Sequence, residues 1–583
     1  MSTRAASRWL VFAVSLSITA CSPSGGGAGP TPPSGGTNPS KPTTPTLSDQ
    51  PPSLVFRDVS DSSGIRFVHA SGLDGGRYYP ASLGCGLALF DYDGDGKLDI
   101  YFCSNRKLPL SAENKAMGNR LYRNLGGMKF EDVTDKAKVG FRGFCHGAAV
   151  ADVNGDGKPD LYLTTYGSNV LYLNNGDGTF RDASAGSGID VKPWSSGAAF
   201  LDYDGDGKLD LYVTRYARWT EAGPHKYCGD AKRGIRVFCS PYDFTPERHL
   251  LFRGNGDGTF VDTTEKAGVV RRDGRGLGVV AADINHDGKT DLYVANDGCP
   301  NFLFINNGDG TFTDATESSG AATNGAGAVQ GSMGVDIQDV DGDGQPELFV
   351  TNFRGEYNTL YQNLGGGNFQ DVSAQAGIVK DSLAFVGWGC GLADFDNDGR
   401  PDMLVANGEI DDNLRQFGQE VDFDQPTVVW RNMGRSKFVR VMNPGPFFAK
   451  DHNARGAAFG DLDDDGDLDV VLILTDGKPA VLSNESVNQG NWIRFALEGS
   501  RGNRDAIGAT VEVYAGGQVF QRLVRGGDSY LSVNDRRALI GIGTLDRVDR
   551  VEILWPGGRK TTLNEPALKK THRVLEPSGG DAR

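Results

Sequence analysis

Short apolar runs, separated by glycine and by acidic residues, recur along this chain in a constant phase. Each unit opens with a glycine (Gly86, Gly147, Gly197, Gly278, Gly334, Gly389, Gly456) followed by small or apolar residues, as in Gly197-Ala-Ala-Phe-Leu201. A polar stretch of nine residues comes next. Then follows a second apolar run: Ile100-Tyr-Phe, Leu161-Tyr-Leu, Leu211-Tyr-Val, Leu292-Tyr-Val, Leu348-Phe-Val, Met403-Leu-Val or Val470-Val-Leu. Two further runs meet at a glycine-rich turn, most plainly in Leu171-Tyr-Leu-Asn-Asn-Gly-Asp-Gly-Thr-Phe180. Asn-Gly and Asp-Gly between apolar runs predict tight hairpins, because those turns need positive φ. Each unit therefore reads as four short strands. Successive units start 50 to 81 residues apart. Four-stranded units repeated seven times predict an all-β fold, a seven-bladed β-propeller.

The phase of the repeat predicts how the ring closes. The last unit stops after its third strand, Ala480-Val-Leu-Ser-Asn484, while a strand of the missing kind, Val55-Phe-Arg-Asp-Val-Ser60, stands before the first unit. Pairing the two would remove two exposed strand edges. Beyond residue 490 the pattern changes to alternating strands such as Thr510-Val-Glu-Val-Tyr514, which suits a small β-sandwich-like domain.

The polar stretch has the form Asp-x-Asp/Asn-x-Asp-Gly-x-x-Asp/Glu. Its first, third, fifth and ninth residues are Asp91, Asp93, Asp95 and Asp99 in the first unit. The next units carry Asp152, Asn154, Asp156, Asp160; Asp202, Asp204, Asp206, Asp210; and Asp283, Asn285, Asp287, Asp291. The last three carry Asp339, Asp341, Asp343, Glu347; Asp394, Asp396, Asp398, Asp402; and Asp461, Asp463, Asp465, Asp469. Carboxylates so close need positive charge between them. Hard oxygen ligands on a loop that turns sharply at Gly point to calcium, up to seven ions, rather than to Mg²⁺ with its rigid octahedron. Residues 52–490 hold 41 Lys+Arg against 63 Asp+Glu, a net of −22, within a chain of net charge −16. That acidity argues against nucleic acid as a partner. Residues 491–576 hold 14 basic against 10 acidic residues. A net of +4 beside −22 leaves two readings open, docking on the propeller or an independent bead.

The strand-loop-strand unit resembles the FG-GAP repeat of integrin alpha-subunit propellers, called VCBS repeats in bacteria. Asn503-Arg-Asp-Ala-Ile-Gly-Ala509, Gly526-Gly-Asp-Ser-Tyr-Leu-Ser532 and Val548-Asp-Arg-Val-Glu-Ile-Leu-Trp-Pro556 resemble the ASPIC/UnbV domain. Gly331-Ser-Met-Gly-Val-Asp336 and Asn352-Phe-Arg-Gly-Glu356 are typical of the repeats that accompany it. Together the resemblance covers nearly all of 54–576, and the whole resembles bacterial relatives of cartilage acidic protein. It implies a fold and carries no activity, since the motifs are structural.

The N-terminus reads as an address. Arg4 and Arg8 precede an apolar stretch, Trp9 to Ile18, too short to span a bilayer. Ile18-Thr-Ala-Cys21 resembles a bacterial lipobox, which implies cleavage after residue 20 and lipid on Cys21. Residues 21–53 are a Ser/Gly/Pro/Thr tether that cannot build a core. The expected organisation is thus signal peptide 1–20, lipid-anchored linker 21–53, propeller 54–490, C-terminal domain 491–576 and a disordered tail 577–583. The expected location is the outer membrane or cell surface, with the lipid as the only membrane contact.

Export makes disulfides admissible. Cys85 and Cys103 flank the first acidic loop almost symmetrically, and Cys228 and Cys239 lie in one long insertion; both pairs are candidates. Cys145, Cys299 and Cys390 have no evident partner. No Gly-x-Ser-x-Gly, His-Glu-x-x-His or Walker loop is present, so no catalytic residue is nominated. A binding module for an extracellular protein or glycan is the first expectation. A carbohydrate-active lyase or hydrolase is the alternative, favoured by a perturbed acid near aromatics in one blade only. Three units carry long connections after the second strand, near 104–120, 216–249 and 408–427. Alternation of connections places all three on one face, away from the acidic loops. The largest carries Trp219, Tyr227, Phe238, Tyr242 and Phe244 as partner-binding candidates.

Overall fold

The computed structural model describes residues 54–110, 118–223, 225–486, 490–500 and 502–577. The expected signal peptide, Cys21 and the linker to residue 53 lie outside the described residues, as does nearly all of the expected tail.

Seven antiparallel four-stranded units follow one another in the chain, and pairing of Asp297 with Gly331 joins the fourth and fifth into one eight-stranded sheet. Their first strands are Leu87–Phe90, Phe144–Ala151, Ser195–Leu201, Gly276–Ala282, Gln330–Gln338, Gly387–Ala393 and Ala454–Gly460. Each first strand contacts the first strand of the next sheet, and the seventh contacts the first, so the sheets form a closed propeller ring. The seventh sheet takes its outer strand from the N-terminus: Phe56 pairs with Asn484 and Asp58 with Leu482.

The repeated opening glycine has a steric cause. A Cβ on Gly197 would lie 2.3 Å from the carbonyl oxygen of Leu277, and one on Gly334 would lie 2.2 Å from that of Trp388, each in the following sheet. Only a residue without a side chain lets neighbouring inner strands come this close to the axis.

The C-terminal domain is two sheets around one core of Ile493, Phe495, Val511, Val513, Ile540 and Val551 with their neighbours. Trp492–Glu498 pairs antiparallel with Ala538–Gly541 and parallel with Thr571–Leu575. The second sheet centres on Thr510–Ala515 and Arg550–Leu554. Of the two readings left open by charge, docking is the one realised. Residues 526–534 leave the domain and run into the axis of the ring. The backbone amides of Leu89, Ala148, Ala281 and Val335 donate to the carbonyls of Val533, Leu531, Gly526 and Ser529 at 2.7–3.3 Å. Cys390 N donates to Ser529 Oγ and Phe459 N to Asn534 Oδ1, each at 3.0 Å. Six of the seven inner strands thus donate to this plug, and in the remaining one the carbonyl of Phe200 abuts Gly526. At the tip Tyr530, fully buried, donates its hydroxyl to Leu83 O at 2.9 Å and sets its ring edge-on to Trp388 at 5.1 Å.

The expected Cys85–Cys103 bridge is not formed; both thiols are free and buried. Leu87 pairs with Phe102, so continuing that register leaves the two cysteines one residue out of step, on opposite faces of the sheet. Cys85 Sγ donates instead to the carbonyl of Cys103 at 3.0 Å. Cys228 and Cys239 are joined.

Candidate functional site

The seven acidic loops share one backbone. The glycine at the sixth position, such as Gly96 at φ +90°, lets the loop fold back so that its amides point at the first carboxylate. The fourth position is also left-handed throughout. Four loops place glycine there, and the others use His286, Asn397 and Asp464 at φ 61°, 56° and 66°. In the first loop Asp91 accepts from the amides of Gly94, Asp95 and Gly96 at 2.8–3.1 Å.

The ninth residue does structural work that its place in the acidic spacing did not predict. Asp99 accepts from Tyr92 N at 3.0 Å and from Asn124 N at 2.8 Å, tying the loop to the third strand of its own sheet. Asp160, Asp210, Asp291, Glu347, Asp402 and Asp469 each make the same two bonds. Burial pushes the carboxyls of Asp99, Asp160 and Asp291 up to about 8 and that of Glu347 to about 9.

The donor set fits a hard divalent cation. Ligand oxygens of Asp91, Asp93 and Asp99 lie within 4.8 Å of one another, as do those of Asp202, Asp204 and Asp206. The same holds for Asp339, Asp341 and Glu347, and for Asp394, Asp396 and Asp398. Buried oxygens of Asp202, Asp341 and Asp463 (Oδ1 in each) have no hydrogen-bond donor, which leaves lone pairs aimed into the loops. An ion there would act as a cross-link within the loop. Some charge is already met by arginines of the third strands: Arg123 reaches Asp93 at 2.7 Å, and Arg431 reaches Asp396 at 2.5 Å.

The Asn at or near the end of the third strand in six of the seven sheets was legible only as a turn residue. Its amide bridges sheets. Asn174 Nδ2 donates to Pro159 O in its own loop and to Tyr92 O in the preceding loop. Asn306, Asn363, Asn432 and Asn484 repeat this, and Asn124 closes the circle by donating to Leu462 O of the seventh loop. In the third sheet Gly254 stands at this place and has no side chain to make the bridge.

The C-terminal domain lies over this loop face. Arg494 pairs with Asp461 at 2.5 Å and also with Asp464, while Arg522 reaches Asp394 at 3.4 Å. Asp505 accepts from Asp152 N at 2.7 Å, and Arg536 holds Asp505 at 3.1 Å. Arg504 pairs with Glu498 within the domain and approaches Asp152 at 3.9 Å.

The three long connections converge on the other face. Phe238 N donates to Asp411 Oδ1 at 3.0 Å, Leu110 N to Glu221 Oε2 at 3.1 Å, and Asn413 Nδ2 to Arg236 O at 2.8 Å. Residues 111–117 of the first connection lie outside the described residues. Beneath them Tyr79, Tyr166, Trp194, Tyr216, Trp219 and Trp388 share one apolar cluster. This corrects the partner-binding candidates. Trp219 and Phe238 are 8% and 5% exposed and Phe244 packs half-buried on the same cluster, because a disulfide-closed insertion must build its own small core. Tyr227 and Tyr242, 43% and 66% exposed, face solvent.

Two polar chains run through this cluster. Tyr79 and Tyr216 hydroxyls meet at 2.9 Å, and Tyr216 donates to Asp297 Oδ2 at 2.5 Å. Burial pushes Asp297 up, against the pull of Tyr216 and Arg275. Trp194 Nε1 donates to His146 Nε2 at 2.9 Å, and His146 Nδ1 donates to Gly84 O at 3.2 Å, so the imidazole is neutral. Burial draws its pKa down to about 4.

Comparison with known proteins adds the following. The family described as FG-GAP-like repeat matches residues 91–163, 152–213, 238–294, 283–350 and 339–405, and that described as ASPIC and UnbV matches 499–581. Cartilage acidic protein 1 of Homo sapiens is 28% identical over 335 residues, 54% of this chain and 46% of that protein. The Xenopus tropicalis protein of the same name is 28% identical over 297 residues, 49% of this chain and 42% of that one. The chain spans less than half the length of these relatives. Among solved structures, an Agrocybe aegerita lectin described as recognising non-reducing terminal N-acetylglucosamine is 18% identical with a TM-score of 0.37, covering 63% of this chain and 82% of its own. YCF48 bound to a D1 peptide is 7% identical with a TM-score of 0.37, covering 68% and 90%. Both are distant likenesses.

Proposed function

The chain belongs to the FG-GAP-like repeat proteins that carry an ASPIC and UnbV domain, and from that premise we propose a calcium-braced, lipid-anchored extracytoplasmic module that binds a protein or glycan. The observation that carries this reading is the division of labour between the two faces. The loop face is covered by the C-terminal domain and the axis is filled by residues 526–534. The face built by the three connections is left uncovered among the described residues, and it carries Tyr227 and Tyr242. Aromatic side chains on a braced loop give contact area at low entropic cost. Cations in the loops below hold the ring that positions this face.

Probing immobilised glycan and peptide arrays with the calcium-loaded chain tests the reading. Tyr227→Ser combined with Tyr242→Ser should abolish capture while leaving thermal unfolding in place. Capture that survives both substitutions would move the binding surface elsewhere.

One observation favours the enzymatic reading. Asp297 is a perturbed acid beside Tyr216 and Tyr79, and no other sheet repeats that arrangement among the described residues. Polysaccharide turnover that disappears in Asp297→Asn would make the protein a carbohydrate-active enzyme.

A further inference from the structure

The insertion face holds a pocket that neither the repeat nor the acidic loops explain. Its volume is about 270 Å³. Trp219 and His225 stack with ring centroids 5.2 Å apart and planes 22° from parallel. Tyr78 stands edge-on to both, at 5.9 and 5.2 Å. These three rings form one wall. Around them the pocket is lined by Arg77, Arg218, Lys226 and Arg236, against a single lining carboxylate, Asp243.

The cations are not equally engaged. Lys226 pairs with Asp243 at 2.6 Å and Arg218 with Glu247 at 3.2 Å, while Arg77 pairs with Asp412. Arg236 lies over the Tyr227 ring at 5.5 Å and has no carboxylate partner among the described residues. The Cys228–Cys239 bridge closes the segment that carries it. A cluster of guanidinium and ammonium groups is out of character for a chain of net charge −16. Placed beside aromatic faces, it matches a ligand with an apolar ring face and a planar anionic group. Guanidinium recognises carboxylate or sulfate through paired donors, and aromatic rings pack on the C–H face of a pyranose. An extended polyanion is disfavoured, because the acidic repeats would repel its flanks.

We propose that this pocket binds an acidic sugar, a carboxylated or sulfated pyranose, with its ring against Tyr78 and His225, which the buried Trp219 backs, and its acid group on Arg236 with Lys226 beside it. The proposal rests on the reading of this face as the binding surface.

Titration calorimetry on the full chain with calcium tests it, using oligogalacturonate, a chondroitin sulfate oligosaccharide and neutral cello-oligosaccharide. One or both acidic sugars should bind and the neutral one should not; which acid binds distinguishes carboxylate from sulfate. Arg236→Gln should weaken binding roughly tenfold, the loss of one charge-assisted hydrogen bond, with unchanged thermal unfolding. His225→Ala should weaken it by removing part of the wall without a charge change. Equal binding of the neutral sugar, or binding indifferent to Arg236→Gln and Lys226→Gln, overturns the proposal. If acidic sugars fail to bind while Tyr227 and Tyr242 still govern array capture, the pocket proposal falls and the binding-face reading stands. If that capture is lacking too, both fall.

Discussion

Truncating Tyr530 asks whether the C-terminal domain is part of the ring or a neighbour of it. The side chain is fully buried, its hydroxyl donates to Leu83 O at 2.9 Å, and its ring meets Trp388 edge-on at 5.1 Å. Tyr530→Phe keeps the ring and leaves the Leu83 carbonyl without that donor, which costs about 1–2 kcal/mol. Tyr530→Ala also removes the ring from a packed core, for a total of about 3–5 kcal/mol. Because the plug accepts amides from six inner strands, its loosening should be felt around the whole axis. Native-state hydrogen exchange reads this directly. The amides of Leu89, Ala148, Ala281 and Val335, which donate to the plug, should exchange faster in Tyr530→Ala, by roughly two to four orders of magnitude if opening is governed by that free energy. Amides in the third strands should change far less. Urea unfolding should show the domain and ring melting together in the parent protein. Unchanged exchange at those four amides, or a C-terminal domain that melts separately in the parent protein, would refute the reasoning.

Four further outcomes are expected. Chelation should lower the thermal unfolding temperature, since a site of about 0.1 mM affinity contributes about 1.4 kcal/mol at 1 mM ion; elemental analysis that finds no calcium in protein purified with it would end the metal reading. His146 is buried neutral, with a folded pKa of about 4 against an ordinary 6.5. The unfolded state then binds the extra proton, so this contribution is full above pH 6.5 and falls as pH drops toward 4, by up to about 3 kcal/mol; His69 and His249 are drawn down to about 4 as well, so His146→Gln should lessen the slope in urea titrations across this window without abolishing it. Cys228→Ser should speed proteolytic cleavage within 220–245, because the loop it closes loses about 2–3 kcal/mol of constraint, while overall unfolding moves little. Cys21→Ala should abolish fatty-acid labelling and release the protein from membranes; a free mature N-terminus elsewhere would remove the anchor.

Most of the fold was legible because the repeat carries its own steric logic. The opening glycines marked the places where Gly197 and Gly334 lie against neighbouring backbone, and the displaced strand at 55–60 announced its pairing with residues 480–484. The clustering of carboxylates in the acidic loops was legible as a spacing, but the bonds that the ninth carboxylate accepts were not, since one comes from an amide contributed by the third strand. The plug was out of reach for another reason. Gly526 to Asn534 reads as a small polar loop, and only the ring's axis gives its carbonyls donors. Cys85 and Cys103 misled because equal distance from a turn does not fix which side of a strand a residue faces. Trp219 and Phe238 misled because an aromatic in an insertion serves the insertion's own core before it serves a partner.

The asparagine bridges make the propeller a hoop of seven links in which one link differs. Six junctions are tied by a side-chain amide, and the junction before the third sheet is not, because Gly254 cannot reach the preceding loop. At this joint tension on the molecule is borne by the packing of the second and third sheets without a side-chain tie between their loops. The third sheet is also the one from which the 216–249 insertion rises. Were a partner bound at that insertion, its load would enter the ring beside this seam, and the blade that held on would be the blade placed to yield.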